Sequence, residues 1–162
     1  MKLVLCVVLI FGFAYVGYCI SRTYVTRKKF FFAFGNYLND LRVDVNFSFK
    51  KLGQILTGYN SDSSEFNRLL ENYKASLDNA SLQKEGLFKG ITILNAEEKE
   101  YVYLFFKSLG KTDVFNQVSI IDGLIETNKN YLNKASEESK KYGTLYTKLG
   151  IMMGAFVALL II

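Results

Sequence analysis

Two apolar runs, neither with a charged residue, limit the structures open to this chain. The first, Leu3–Ile20, would form a helix about 27 Å long, close to the ~30 Å thickness of a hydrocarbon core. A cleaved signal peptide and a lipoprotein signal ending at Cys19 are also apolar. However, no small-x-small cleavage site follows the run, and Tyr18 is bulky beside a lipidated cysteine. We therefore expect residues 1–21 to form an uncleaved membrane helix.

The second run, Leu149–Ile162, is shorter. An apolar run of roughly 10 to 14 residues is more typical of a buried core helix. Against that interpretation, Tyr142, Tyr146 and Lys148 precede the run, at positions where interfacial anchors belong. The amine of Lys148 can reach towards water, which lengthens the usable span. We therefore expect a second membrane helix over residues 149–162.

Small residues recur at every fourth position of the second run, at Gly150, Gly154 and Ala158. Stripes of this kind let membrane helices approach one another closely. Ordinary use of glycine in a membrane span explains the same spacing equally well. The stripe is therefore a candidate packing surface between membrane helices.

Helical spacing of apolar residues continues into the chain from both runs. Beyond the first run the repeating positions are Phe30, Phe34, Tyr37, Leu38, Leu41, Val45, Phe49 and Leu52. Before the second run, an apolar stripe extends from Val114 to Leu149. Gly110 is predicted to end the preceding helix as a left-handed C-cap, and Thr112 or Asp113 to begin the new helix as its N-cap. The chain has no proline. We predict an uninterrupted C-terminal helix and an all-α fold, in which each membrane helix is continuous with a long cytoplasmic helix.

Two shorter helices are predicted between the long ones. Asp62 with Glu65, and Asn95 with Glu98, have the spacing of capping boxes. The apolar faces of these two helices are Phe66, Leu69, Leu70, Tyr73 and Leu77 for the first, and Tyr101, Val102, Leu104, Phe105, Phe106 and Leu109 for the second. Residues 22–148 are therefore predicted to form a cytoplasmic helical bundle. The aromatic run Phe30–Phe32 fits either its core or an interfacial belt.

The positions of the charges predict orientation. Seven basic residues flank the inner sides of the two runs, namely Arg22, Arg27, Lys28, Lys29, Lys140, Lys141 and Lys148. The positive-inside rule then places residues 21–148 in the cytoplasm and both termini outside. Once these seven and Lys2 are set aside, 12 basic and 15 acidic residues remain, a net charge of −3. The basic residues that give the chain its overall net charge of +5 are thus expected to contact lipid headgroups, and we expect no nucleic-acid partner.

The motifs that resemble catalytic sites have simpler explanations. Gly110-Lys111-Thr112 imitates the end of a phosphate-binding loop, but Phe105 stands where that loop needs a glycine, and a helix precedes it. The chain has no histidine, and both cysteines lie in the first apolar run. We expect no enzymatic activity, no metal, no cofactor and no small-molecule substrate. A membrane-bound enzyme and a receptor sensing from outside are the less favoured alternatives.

Three acidic residues form a candidate partner surface, namely Glu97, Glu98 and Glu100. Acidic groups there would steer a basic cytoplasmic partner. They also fall in the first turn of a predicted helix, where acids complement the helix dipole on an ordinary solvated surface.

Several segments, in order along the chain, resemble the stage III sporulation protein AB family. The first is Leu41, Asp44, Val45 and Phe47, then Leu52 and Leu56, against the family's Leu-x-x-Glu-Ile-x-Tyr and Pro-Leu-x-x-Ala-Leu. The second is Phe106, Leu109, Gly110, Asp113 and Gln117, and the third is Leu149-Gly150 with Gly154. The sequence departs from the family at Asp44 and Phe47, which replace Glu and Tyr, and at Lys51, which replaces proline.

The resemblance implies a non-enzymatic scaffold in the channel complex between mother cell and forespore. The family is similar in its soluble part to the inner-membrane platform proteins of type II secretion and type IV pili. A secretion-type ATPase, stage III sporulation protein AA, and other membrane proteins of the channel complex are the implied partners. The implied location is the outer forespore membrane, with the soluble part in the mother-cell cytoplasm. A platform protein of another secretion or pilus-like system is the alternative.

Overall fold

The structure is a computed structural model that describes residues 2–47, 59–78, 82–109 and 114–161; the side chains at positions 2–6, 9, 45–47, 78, 114–117 and 161 are outside this description. The helices are α1 (Lys2–Phe47), α2 (Ser64–Asp78), α3 (Lys84–Leu87), α4 (Ala96–Ser108), α5 (Val114–Tyr142) and α6 (Leu145–Ile161). The described ranges contain no strand. The predicted all-α fold is confirmed for them.

Helix α1 continues from the first apolar run without a break over 46 residues, about 69 Å. This confirms the predicted continuity as far as Phe47. The remaining predicted positions, up to Leu52, lie outside the described residues. No proline or helix-breaking pair interrupts α1, and its glycines at 12, 17 and 35 are tolerated within the helix.

The predicted uninterrupted C-terminal helix is wrong at one point. A turn at Gly143 and Thr144 separates α5 from α6. The amide of Gly143 still donates to the carbonyl oxygen of Ser139, at 2.9 Å, but a Cβ atom at Gly143 would collide with that same oxygen. The backbone at this turn therefore requires glycine, which in a helix interior is about 1 kcal/mol less favourable than alanine.

The capping residues match one prediction and correct another. Asn95 accepts a hydrogen bond from the amide of Glu98 at 2.9 Å, and the Glu98 carboxylate accepts one from the amide of Asn95 at 3.0 Å. This confirms the predicted capping box of α4. Helix α2 is instead capped by Ser63, whose hydroxyl accepts from the amide of Phe66 at 3.4 Å, so the prediction of Asp62 was one residue early.

The chain divides into two compact units, and each uses part of α1 and part of α5. Unit 1 comprises Met1–Lys28 and Asn133–Ile162, and unit 2 comprises Lys29–Leu132. The core of unit 2 is rich in aromatic side chains. Its fully buried members include Phe30, Phe31, Phe34, Tyr37, Leu38, Leu41, Phe66, Leu69, Val102, Phe105 and Phe106.

Edge-to-face ring contacts hold the core of unit 2 together. The ring of Phe34 lies 5.3 Å from that of Phe105, and the ring of Phe30 lies 5.7 Å from that of Phe66. Such pairs add about 0.5–1.5 kcal/mol each to the burial of their area. Of the aromatic run left open above, Phe30 and Phe31 belong to the core, whereas Phe32 is 58% exposed.

The predicted apolar faces of the short helices were slightly too wide. Leu77 in α2 and Leu104 in α4 are each about half exposed, at 50% and 52%. Leu77 lies in the last turn of α2. Leu104 is two residues from both Val102 and Phe106, so it points to the side of α4 opposite these buried residues. Periodicity identified the face, but its width depends on the packing of the neighbouring helices.

Candidate functional site

The predicted small-residue stripe of α6 lies directly against α1 within unit 1. A Cβ atom at Gly150 would be 2.5 Å from the carbonyl oxygen of Phe13, and one at Gly154 would be 2.8 Å from the Cα of Ile10. Ala158, the third member, is buried. The two backbones therefore approach more closely than any larger residue would allow, as in membrane helix pairs built on small residues.

The same seam continues along unit 1 through residues that sequence reasoning missed. Gly17 of α1 has no room for a Cβ atom, because the carbonyl oxygen of Tyr146 occupies that place. One turn further along α1, the hydroxyl of Ser21 donates to the carbonyl oxygen of Gly143 at the turn between α5 and α6. The small residues at 17 and 21 were a signal with the same spacing of four as the stripe in α6.

Beyond Ser21 the seam becomes aromatic and then charged. The ring of Tyr24 lies 5.2 Å from that of Tyr142 and stacks on that of Tyr146 at 5.8 Å. We call these three residues the tyrosine cluster. One turn further on, Arg27 forms a part-buried ion pair with Glu138. Along the seam, the contacts thus change from close backbone packing at glycines, to stacked tyrosine rings, to an ion pair.

The outward surface of this helix pair is strongly apolar. Large exposed side chains on α1 include Val8, Phe11, Tyr15 and Val16, and those on α6 include Met152, Phe156, Leu159 and Leu160. Within the described residues, one stretch, Val118–Leu160, is long and apolar enough to cross a membrane by length and composition. The predicted crossing by the first run stays a prediction.

The candidate acidic surface is smaller than expected. Glu98 is completely buried, since its carboxylate closes the capping box, and it is therefore not part of any exposed surface. Glu97 accepts a hydrogen bond from the hydroxyl of Tyr131 at 3.0 Å, and Glu100 forms an ion pair with Lys84. The N-terminal part of α4 thus presents two exposed carboxylates, Glu97 and Glu100, each with a partner.

Where the structure describes them, the residues that carry the family resemblance are divided between the core and the surface. Leu41 and Phe106 are buried, Asp44 and Leu109 are partly exposed, and Leu109 occupies the C-cap of α4. The side chains of Val45, Phe47 and Gln117, and the whole of Leu52, Leu56, Gly110 and Asp113, lie outside the described residues. The predicted left-handed cap at Gly110 and N-cap at Asp113 therefore stay predictions.

Unit 2 also buries polar groups that the sequence analysis did not single out. Asn128 is buried, and its amide nitrogen donates to the carbonyl oxygen of Phe31 at 3.0 Å. The hydroxyl of Tyr101 donates to the carbonyl oxygen of Leu124 at 2.7 Å. The hydroxyl of Tyr37 has no hydrogen-bond partner among the described residues.

Burial is the main cause of a raised pKa in both of these tyrosines. Desolvation raises the pKa of Tyr37 far above its ordinary value, and the nearby Tyr73 and Tyr59 raise it further. Desolvation likewise raises the pKa of Tyr101, with a smaller contribution from Tyr131. A phenol with a raised pKa stays neutral, so these groups act as core side chains rather than as acids or bases near neutral pH.

The described residues bring together no group of three or more His, Cys, Asp or Glu that could hold a metal ion.

In comparisons with known proteins, the family model of stage III sporulation protein AB matches residues 2–162, essentially the whole chain. A search of curated proteins and a search of solved structures each found no match.

Proposed function

Because the chain belongs to the stage III sporulation protein AB family, we propose that this sporulation protein is a non-enzymatic membrane scaffold. In this proposal the helix pair of unit 1 anchors the chain with two spans. Unit 2 holds a secretion-type ATPase at the cytoplasmic face of the channel complex between mother cell and forespore. The family resemblance supports the ATPase and the channel complex as partners, and the helix packing of unit 1 supports the anchor.

The observation that carries the proposal is the packing of Gly150 and Gly154 against α1. The two helices have small, close-packed residues at their interface and apolar residues on their outer surface, which is the pattern of helix association in lipid. A water-soluble pair would show the reverse, with large apolar residues inside and polar residues outside. The stretch Leu3–Ile20 has no charge and is followed by the basic Arg22, which supports the N-terminal span.

The anchor and its orientation are tested by cysteine labelling. In the full chain, Cys6 and Cys19 are replaced by alanine, and a single cysteine is added after Ile162. We expect an impermeant maleimide to label it in intact vegetative cells that express the chain, where the reagent reaches the outer side of the cell membrane. A matched Ser119→Cys variant should be labelled only after lysis, since Ser119 is exposed on α5 in unit 2. Labelling of the C-terminal cysteine only after lysis would contradict the orientation, and release of the chain by carbonate would contradict the anchor.

The docking surface of the ATPase is proposed on α4, around Glu97 and Glu100. Both carboxylates are exposed, and Tyr131 and Lys84 hold them in place. Charged groups on a binding surface act mainly on the association rate, and salt screens them. Binding through this surface should therefore weaken as salt is raised.

The experiment titrates the full chain in detergent with the cognate ATPase at low and high salt. Glu97→Lys with Glu100→Lys should weaken binding at low salt by about tenfold or more, because two charges change sign. The matched control is Glu126→Lys with Glu137→Lys, which makes the same change in net charge at exposed positions on α5. Equal losses in both double variants would show a non-specific charge effect. Unchanged binding in the α4 variant would move the docking surface elsewhere, first to the segment from Asp44 to Leu56.

A further inference from the structure

Two large aliphatic side chains are exposed on consecutive helices of unit 2. Leu104 on α4 is 52% exposed, and Ile120 on α5 is 39% exposed. A single exposed leucine or isoleucine is common on a protein surface and needs no explanation. Two that lie side by side instead form an apolar surface, so their relative positions decide whether a partner can bind there.

Two hydrogen bonds show which faces of α4 and α5 meet. The hydroxyl of Tyr131 donates to the carboxylate of Glu97 at 3.0 Å, and the hydroxyl of Tyr101 donates to the carbonyl oxygen of Leu124 at 2.7 Å. Going forward along α4 from Glu97 to Tyr101 thus means going back along α5 from Tyr131 to Leu124. The two helices are therefore antiparallel, and Glu97 and Tyr131 lie on the faces that border each other.

Helical rotation places Leu104 and Ile120 on the same two faces. At about 100° per residue, Leu104 lies roughly 20° from Glu97 around α4, because it follows that residue by seven positions. Ile120 precedes Tyr131 by eleven positions and lies roughly 20° from it around α5. Each aliphatic residue therefore borders the other helix, as the hydrogen-bonded residue on its own helix does.

The two aliphatic residues also lie at similar levels along the helix pair. Measured from the contact between Glu97 and Tyr131, Leu104 is about 10.5 Å further along α4, at ~1.5 Å per residue. Ile120 is about 16.5 Å from the same contact, in the same direction because the helices are antiparallel. The difference in level is about 6 Å, roughly one helical turn.

Leu104 and Ile120 lie on the solvent side of the border between the two helices. Nearer to the core, by roughly 60° around α4 and 40° around α5, are Tyr101 and Leu124, which are only partly exposed. These two form a floor between the aliphatic residues, and the hydrogen bond between them holds it together. We call these four residues the α4–α5 groove.

The two ends of the α4–α5 groove differ in charge. Glu97, at one end, is exposed and forms no ion pair within the described part of the chain. Glu100 is also exposed there, but Lys84 neutralises part of its charge. Lys107, which follows Leu104 by three residues, is exposed beyond the opposite end. An apolar surface that is negative at one end is complementary to a partner that is apolar and basic.

We infer that the α4–α5 groove binds an amphipathic helix of the ATPase, which places large apolar side chains against Leu104 and Ile120 and a lysine or arginine beside Glu97. Apolar residues three or four positions apart on such a helix are about 5–6 Å apart, which matches the step between Leu104 and Ile120. Burial of apolar area supplies affinity, and the charge pair supplies orientation. The inference deepens the proposed function, since it takes from that proposal that the partner is the ATPase.

The first experiment measures binding of the cognate ATPase to the full chain in detergent, at low and at high salt. Leu104→Ala/Ile120→Ala should weaken binding by about tenfold or more at both salt concentrations, because salt screens charges and leaves apolar contacts in place. Glu97→Lys should weaken binding at low salt only. Leu104→Met/Ile120→Met keeps large apolar side chains and should bind within about threefold of the wild type.

A matched control removes two exposed apolar side chains elsewhere in unit 2. Leu77 on α2 and Val43 on α1 are 50% and 56% exposed. Leu77→Ala/Val43→Ala should bind the ATPase as the wild type does. Far-UV circular dichroism checks the helix content of both alanine double variants, which should be unchanged because alanine favours helices.

The second experiment identifies the segment that occupies the groove. The photoreactive amino acid benzoylphenylalanine is introduced in place of Ile120, and the crosslinked peptide of the ATPase is identified by mass spectrometry. We expect a peptide with apolar residues at steps of three and four and with a lysine or arginine beside them. The same group in place of Lys129, which is exposed elsewhere on α5, should give no crosslink to the ATPase.

Four results would overturn the groove: wild-type binding by Leu104→Ala/Ile120→Ala, an equal loss in both alanine double variants, a crosslinked peptide without the apolar pattern, or a crosslink to a second copy of this chain. If the wild type binds the ATPase and one of these results is found, the groove alone is wrong. If the wild type does not bind the ATPase, the proposed function is wrong, and the groove that depends on it is wrong too.

Discussion

The side-chain nitrogen of Asn128 lies 3.0 Å from the carbonyl oxygen of Phe31, to which it donates a hydrogen bond, and it occupies the space beside Gly35. A Cβ atom at Gly35 would be 2.7 Å from that nitrogen. Gly35→Ala should therefore force the buried amide away from Phe31 and destabilise the protein by about 1–3 kcal/mol. The measurement is the free energy of unfolding of the full chain in detergent, followed by far-UV circular dichroism.

Gly123 provides the control for this substitution. It lies in α5, is exposed, and has no atom within 4 Å of the position of an added Cβ. Gly123→Ala should stabilise the protein by about 0.5–1 kcal/mol through helix propensity alone. In addition, Gly35→Ala should be less harmful in an Asn128→Ala background, since the colliding group is then absent. Identical effects of Gly35→Ala in both backgrounds would contradict the proposed contact.

The capping box of α4 makes a second prediction. Asn95→Ala removes the acceptor for the amide of Glu98 and should lower the free energy of unfolding by about 1 kcal/mol. Asn95→Asp keeps an acceptor at the same place and should be nearly neutral. Thermal unfolding of the two variants, measured side by side, distinguishes the loss of the cap from a general effect of mutation. A large loss in Asn95→Asp as well would show that the cap is not the cause.

The buried hydroxyl of Tyr37 predicts a loss of stability in alkali. Burial raises its pKa, so the folded protein keeps the phenol neutral, whereas the unfolded chain ionises it near its ordinary value of about 10. The contribution is fully present below pH ~10 and is lost as the pH rises towards the folded pKa, by about 1.4 kcal/mol per pH unit. Unfolding in denaturant at a series of pH values between neutral and strongly alkaline measures this slope.

Tyr37→Phe tests the assignment of that slope to one residue. Below pH ~10 the substitution should change stability by less than about 1 kcal/mol, because the hydroxyl has no hydrogen-bond partner among the described residues. Above that pH the variant should lose stability less steeply than the wild type. Tyr101, whose pKa burial also raises, should account for part of the slope that remains. An unchanged slope would exclude Tyr37 as its source.

The glycine seam of unit 1 makes a fourth prediction. Gly154→Ala places a methyl group 2.8 Å from the Cα of Ile10, where backbone has to move, and should destabilise the full chain in detergent by about 1–3 kcal/mol. Gly12→Ala, on the same helix pair, places its methyl group where nothing lies within 4 Å and should be neutral or stabilising. The thermal midpoints of the two variants give the comparison. Equal midpoints would contradict close packing at Gly154.

Local rules predicted those parts of this protein that depend on neighbours along the chain. The capping box at Asn95 follows from the spacing of two polar residues, and the helical stripe through Phe34 and Leu41 follows from a period of 3.6. The turn at Gly143 could not be predicted in this way, because a single glycine is usually tolerated within a helix. The hydroxyl that bonds to it belongs to Ser21, on a different helix.

In the candidate site, too, local rules predicted only the features that depend on neighbours along the chain. The small-residue stripe was visible in one helix, but its counterpart at Gly17 gained meaning only when α1 and α6 were seen together. The acidic surface was overestimated because the predicted capping box already used the carboxylate of Glu98, and packing buries that side chain completely. Spacing predicts which residues share a helical face, and packing decides which of them remain accessible.

The hydrogen bond between Ser21 and Gly143 joins residues 122 positions apart. Ribosomes add roughly 5–20 residues per second, so the first half of the seam is made about 6–24 s before the second half. For that time α1 has no α6 to cover Gly17, and its exposed apolar surface is open to lipid, to insertion machinery or to another nascent chain. The order of synthesis thus requires the N-terminal helix to be stable in its surroundings alone, because pairing with α6 can begin only after α6 has been made.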